Sequence, residues 1–158
     1  MDHLIRRGHA GDVERLKPLW LALRNHHETL PAMPPVRSLE ESWERRKGQY
    51  LDWLEKDQYT LLVAESYGEP IGYAMISIGD GPATWELGDL TAEIETLSVL
   101  EDERGLGVGR ALMEAAGNVA REAGARSVAV GVAHTNVDAI RFYERAGFEP
   151  FYVLMVRR

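Results

Sequence analysis

Glu95-Thr96-Leu97-Ser98-Val99-Leu100, then Glu101-Asp102-Glu103, then Arg104-Gly105-Leu106-Gly107-Val108-Gly109-Arg110 is the stretch whose reading decides the fold. The first six residues alternate in the manner of a β-strand, the last seven form a glycine-rich turn, and Ala111-Leu112-Met113-Glu114-Ala115-Ala116 follows as a run of good helix formers. A strand that passes through glycines into a helix aims unpaired backbone N–H groups and the positive end of the helix dipole at one point. Such a point binds phosphate.

The spacing excludes the two commonest phosphate loops. A P-loop needs a lysine and a hydroxyl residue after its last glycine, but Arg110 and Ala111 stand there. A dinucleotide fingerprint needs a glycine at the sixth position; counting from Gly105 that position is Arg110, and from Gly107 it is Leu112. The pattern that does fit, Arg104-x-x-Gly107-x-Gly109 after a strand, resembles the pyrophosphate loop of the GCN5-related N-acetyltransferase (GNAT) family. The resemblance implies that Arg104, Gly105, Leu106, Gly107, Val108, Gly109 and Arg110 contact coenzyme A. A second element, Asn136-x-x-Ala139-x-x-Phe142-Tyr143-x-x-x-Gly147-Phe148, is similar to another signature of the same family at every named position.

Outward from the loop, the chain reads as a mixed α/β sheet in the order β-α-α-β-β-β-α-β-α-β. His3 to Arg7 predicts a first strand, and Asp12 an N-cap for a helix that Pro18 must kink or break. Ser38-Leu39-Glu40-Glu41 is a capping box for a second helix ending near Lys56. Tyr59 to Ser66 and Pro70 to Gly79 form a hairpin across Tyr67-Gly68-Glu69, and Asp80 to Asp89 is a loop. Leu90 to Leu100 is the long central strand and Val108 to Ala123 the helix after it. Ser127 to Val132, a helix from Val137 to Ala146, and a terminal strand from Phe151 to Val156 complete the order.

At 158 residues the chain suits a single domain. With 45% hydrophobic and 27% charged residues it reads as soluble and globular. The absence of cysteine removes disulfides, cysteine-based metal sites and a thiol nucleophile together. A formal charge of −7 argues against nucleic acid as a ligand and is mildly favourable to a cationic amine. No apolar run is long enough to cross a bilayer, and Met1 to Arg7 lacks the core of a signal peptide, so a cytoplasmic protein with no membrane partner is expected.

The implied activity is transfer of an acetyl group from acetyl-CoA, as co-substrate and without a metal, to a primary amine attacking directly in a ternary complex. A lysine-like amine costs roughly 4 to 5 kcal/mol to deprotonate at pH 7, so a general base is needed. Glu93 stands eleven residues before Arg104, the separation used by histone-modifying relatives, and Glu95 is two residues on and on the same face. One of the two is the candidate base, with Glu93 preferred. The resemblance assigns the backbone N–H of Val99 to the oxyanion, where one donor is worth about 2.7 to 4 kcal/mol. It assigns Leu97 and Ser98 to the pantetheine arm, Tyr143 to protonation of the leaving thiolate, and Asn136 to a coenzyme hydrogen bond.

Each of these residues also has a purely structural reading. Tyr143 lies in register with Ala139 and Ile140 on a packing face, Glu93 and Glu95 suit a half-exposed strand, and Asn136 is a good N-cap. Glu101 to Glu103 stand where many relatives carry a proline and an aromatic, which sets negative charge beside the phosphate loop. His26, His27, Trp43 and Trp53 read as packing or solvated residues, while Trp85 and Glu86 are candidates for acceptor contacts. Alternatives to the small-molecule enzyme are a non-catalytic acyl-CoA sensor and an acetyltransferase acting on protein N-termini or lysines. Dimers are common in the family, so a homodimer is among the expected partners.

Overall fold

The computed structural model describes residues 3–158. Strand β1, Leu4–Arg7, leads into a 3-10 turn, Ala10–Leu16, and then helix α1, Lys17–Thr29. Pro18 breaks the helical segment in two, as its chemistry demands. It sits in the first turn of α1, where the missing N–H needs no partner. The expected cap is displaced: His9, not Asp12, begins the segment, its ring accepting from the Gly11 N–H while Asp12 reaches back to the His9 N–H. Asp12 is held in that role by Arg6, at 2.7 Å, which also pairs with Glu65 at 2.7 Å.

Helix α2, Leu39–Trp53, is capped by Ser38, whose hydroxyl accepts from the Glu41 N–H. It ends three residues before Lys56. Strands β2, Tyr59–Ser66, and β3, Glu69–Asp80, form the expected hairpin with a slightly longer second arm. The loop after β3 is closed at its neck, where the Gly81 N–H donates to the Asp89 carbonyl at 2.8 Å. A side chain at Gly81 would collide with the Gly88 carbonyl, so the tight neck requires glycine there. Strand β4, Leu90–Val99, helix α3, Val108–Glu122, strand β5, Ser127–Val130, and helix α4, Val137–Arg145, complete the fold.

The strands lie in the order β1-β2-β3-β4-β5, antiparallel except for the parallel β4–β5 pair. One face packs Ala92, Ile94, Ile76 and Ala74 against Val108, Leu112 and Ala116 of α3. The other packs Tyr73, Met75, Leu61 and Val63 against Leu16, Leu19, Trp43 and Tyr50. Exclusion of water from both faces is what allows so much of β2 and β3 to be apolar without alternation. No helix among the described residues is long and apolar enough to cross a membrane.

The terminal strand expected at Phe151 to Val156 does not form. These residues belong to no element and are exposed. Their composition favours a strand, but a strand exists only when its backbone finds a neighbouring ladder, and here none is supplied.

Candidate active site

The site is built where β4 changes character. Up to Ile94 it pairs in parallel with β5, the last pair being Ile94 with Val130, and beyond that point the two strands part. On the other side β4 stays paired to β3, with a bulge: Met75 faces Thr96 while Ile76 faces Ile94, leaving Glu95 as the extra residue. The bulge turns Thr96 and Ser98 toward the α1 and α2 face, and both are buried there. Tyr50 fixes the new direction, its hydroxyl donating to Thr96 Oγ1 at 2.6 Å and sharing a 3.0 Å hydrogen bond with Tyr73. Ser98 donates to the Leu19 carbonyl at 2.9 Å, so its hydroxyl is already committed within the fold. Leu97 packs toward α3.

The Leu100 N–H donates to the Ile71 carbonyl at 2.9 Å. In an antiparallel ladder the direction alternates residue by residue, so the Val99 N–H points away from β3, into the gap left by β5. The expected oxyanion donor therefore stands where the central strand leaves its neighbour.

The glycine turn abuts the same gap. Gly105 and Gly107 have φ of 78° and 87°, a region that favours glycine, and a side chain at either would meet open space. Gly107 starts α3 with no side-chain cap, and the first bond within the helix runs from the Ala111 N–H to the Gly107 carbonyl at 2.9 Å. The N–H groups of Val108, Gly109 and Arg110 thus precede the first intrahelical donor and face outward with the helix dipole behind them. Open space before uncapped amides fits a pyrophosphate. Arg104 folds back, Nε donating to the Val99 carbonyl at 3.2 Å, and Arg110 pairs with Glu114 at 3.3 Å on the exposed surface. Leu106 is exposed, whereas Val108 is buried in the core.

Helix α4 forms the opposite wall. A Cβ on Gly109 would stand 3.4 Å from the Phe142 ring and 3.8 Å from Val99 Cγ2, so α3, α4 and β4 converge there. Tyr143 lies between Phe142 and Phe148, with ring centroids 5.2 and 5.5 Å away. Burial pushes its hydroxyl up to about 12, which keeps the proton in place at any physiological pH. Asn136 caps α4, Oδ1 accepting from the Ala139 N–H at 3.3 Å, and the same oxygen lies 3.4 Å from His26 Nε2 at the end of α1.

Glu93 and Glu95 share one side of β4. Glu93 faces Ser77 across the ladder, and the Ser77 hydroxyl donates to Glu95 at 2.8 Å. Glu93 keeps contact with solvent, yet desolvation, and after it the charge of Glu95, push its carboxyl above the ordinary glutamate range. Ser77 and Tyr50 escape the sequence reading as site residues, and His26, read there as packing or solvated, stands beside the Asn136 cap. Ser77 could be found only by fixing the β3–β4 register, which the intervening loop and the bulge conceal. Trp85 is exposed and its ring meets Phe151 with centroids 5.9 Å apart. Among the described residues no group of three or more metal-binding side chains comes together.

A parted parallel strand pair, with an uncapped glycine-led helix beside it and a tyrosine helix across the gap, defines a nucleotide-thioester type of site. The Acetyltransferase (GNAT) family profile matches residues 21–148, and the chain belongs to that family. It is 37% identical over 101 residues to an uncharacterized N-acetyltransferase of Methanocaldococcus jannaschii, covering 63% of this chain and 44% of that protein. It is 33% identical over 94 residues to streptothricin acetyltransferase of Streptomyces lavendulae, covering 60% and 46%. The chain spans about half the length of these curated relatives. In fold it is similar to a GCN5-related N-acetyltransferase from Ralstonia eutropha, with a TM-score of 0.79 at 20% identity over 99% of both chains. An aminoglycoside N-acetyltransferase in complex with CoA superimposes with a TM-score of 0.74 at 20% identity, covering 99% of this chain and 94% of that one.

Proposed function

We propose that the chain is a single-domain acetyl-CoA-dependent N-acetyltransferase whose acceptor is a primary amine on a small molecule. The observation that carries this reading is the convergence of the uncapped α3 amides, the parted β4 edge at Val99 and the Tyr143 helix on one gap. Val108, Gly109 and Arg110 offer their N–H groups to the pyrophosphate, with Gly105 and Gly107 shaping the turn and Arg104 and Leu106 flanking it. Leu97, Ser98 and Val99 present backbone to the pantetheine arm, and the Asn136 amide nitrogen is placed to reach it because Oδ1 is occupied as a cap.

Glu93 accepts the proton of the attacking ammonium, burial raising its affinity for the proton above that of an ordinary glutamate. Glu95, held by Ser77, supplies negative charge that favours a cationic acceptor. The Val99 N–H donates to the acyl oxygen, and Tyr143 gives its proton to the departing thiolate. No side chain of the site is an activated nucleophile, so direct attack requires no covalent enzyme intermediate.

Streptothricin acetyltransferase and the aminoglycoside N-acetyltransferase, by their names, act on streptothricin and on an aminoglycoside. That supports a small cationic acceptor here. Release of CoA thiol from acetyl-CoA, measured across polyamines, aminoglycosides, amino acids and short peptides, tests the reading. Turnover with small amines is expected. Turnover with peptides alone would make the protein a protein N-terminal or lysine acetyltransferase, and binding without amine-dependent release would make it a sensor.

A further inference from the structure

Helix α2 carries three cations in a row, Arg45, Arg46 and Lys47. Arg45 pairs with Glu41 at 3.2 Å and Lys47 with Glu14 at 2.6 Å. Arg46 has no ion-pair partner among the described residues, although carboxylates are not scarce in a chain of formal charge −7. Aromatic rings hold it instead. The half-buried guanidinium has its central carbon 4.4 Å from the Trp20 ring centroid and 5.6 Å from that of Tyr50. Both rings are fixed in turn, Trp20 donating to Ser42 Oγ at 3.0 Å and Tyr50 to Thr96 Oγ1 at 2.6 Å. An arginine held by its flat face keeps the N–H groups of its edge free, in the fork that matches a planar carboxylate.

This platform adjoins the two carboxylates of β4. Glu93 and Glu95 meet Ser77 on the sheet face covered by α1 and α2, and Tyr50 reaches across from α2 to Thr96, the neighbour of Glu95. Burial pushes the Tyr50 hydroxyl up, the Arg46 charge opposes that shift and the Glu95 charge adds to it, so both charges act on one buried oxygen. Helix α3, whose amides are proposed for the pyrophosphate, packs on the opposite face. The anion suited to Arg46 is therefore the acceptor's own.

We infer that the acceptor is a primary amine carrying a carboxylate on the same molecule, an amino acid, with its ammonium at Glu93 and Glu95 and its carboxylate on the Arg46 fork. This rests on the transferase reading above and adds the second end of the acceptor. Overall the ammonium exchanges two protons for the acetyl group, one kept by Glu93 and the other ending on the coenzyme thiol. Among small amines the site favours the zwitterion over a polycation, whose further ammonium groups would meet Arg46 as like charges.

Release of CoA thiol from acetyl-CoA, measured for the protein amino acids, β-alanine and γ-aminobutyrate, each beside its carboxamide, tests this. Arg46→Met keeps an apolar stem over Trp20 and removes the charge. For the best acid, the ratio of kcat/KM between acid and carboxamide should fall by about 10- to 100-fold in that variant. The lower amine pKa of the carboxamide affects wild type and variant alike and cancels from the comparison. Arg46→Lys retains a cation over Trp20 and guards against loss of folding; without the fork, its ratio should lie between the other two. A ratio unchanged in Arg46→Met, or turnover of polyamines with none of the acids, would overturn the carboxylate subsite and leave the transferase standing. Absence of release with every amine would overturn both.

Discussion

The Ser77 hydroxyl donates to Glu95 across 2.8 Å, and the same serine faces Glu93 in the β3–β4 ladder. One carboxylate is thereby tethered while the other is left to exchange protons. Glu93→Gln should lower kcat/KM at pH 7 by about 100-fold and leave a rate that climbs as pH approaches the amine's own pKa. Glu95→Gln should keep an acid limb, moved to lower pH because the charge of Glu95 no longer helps to raise the Glu93 carboxyl. A pH–rate series on the two variants checks this, and the reverse pattern would transfer the base role to Glu95.

Tyr143 sits between Phe142 and Phe148 with its hydroxyl pushed up to about 12 by burial. Tyr143→Phe should reduce kcat by about 10-fold or more, as expected for loss of a general acid, with little change in acetyl-CoA affinity. In the wild type, loss of the Tyr143 proton should cause no fall in rate below roughly pH 10, the ordinary tyrosine range. Stopped assays at saturating acetyl-CoA distinguish the effect on kcat from one on binding.

Two glycines of the loop should fail differently. Gly107 has φ of 87° with open space around it, so Gly107→Ala meets backbone strain of about 1 to 2 kcal/mol and no clash. Gly109 lies in α3, where Gly109→Ala makes an ordinary contact with Phe142 at 3.4 Å but places a methyl in the gap proposed to hold the coenzyme. Gly107→Ala should therefore lower the melting temperature. Gly109→Ala should keep it and raise the KM for acetyl-CoA by about 10-fold or more, a loss of about 1.4 kcal/mol in binding. Thermal melts beside initial-rate kinetics separate the two.

Arg6 donates to Asp12 and holds its carboxyl at about 2, against 3.8 for the free side chain. A carboxyl depressed in the folded state stabilises the fold above its unfolded pKa and loses that contribution as pH falls through the folded value. The window is thus from about pH 4 down to about pH 2, and the contribution on the order of 2 kcal/mol. Urea melts across that range should show the wild type losing stability more steeply than Asp12→Asn, which starts lower at neutral pH.

The strand Tyr59–Ser66 could be bounded from sequence because its apolar run ends at turn residues on one side and a helix end on the other. The glycine turn was equally plain, since Gly105 and Gly107 need positive φ wherever the chain folds this way. Thr96 and Ser98 were not. Period two puts them on the face opposite Glu93, whereas the bulge at Glu95 brings them to the same side and buries them. His9 displaced Asp12 as the first cap because Arg6, six positions away, claims the carboxylate; no local rule anticipates that ion pair. Phe151 to Val156 has strand composition, but composition carries no information about which edge completes it.

The parting of β4 from β5 beyond Ile94 leaves the Val99 amide facing the gap. An amide presented by the main chain survives replacement of the side chain attached to it. Alanine scanning along β4 would accordingly overlook the donor on which acyl transfer is proposed to depend, whereas a backbone ester at that residue, introduced by semisynthesis, would delete it alone.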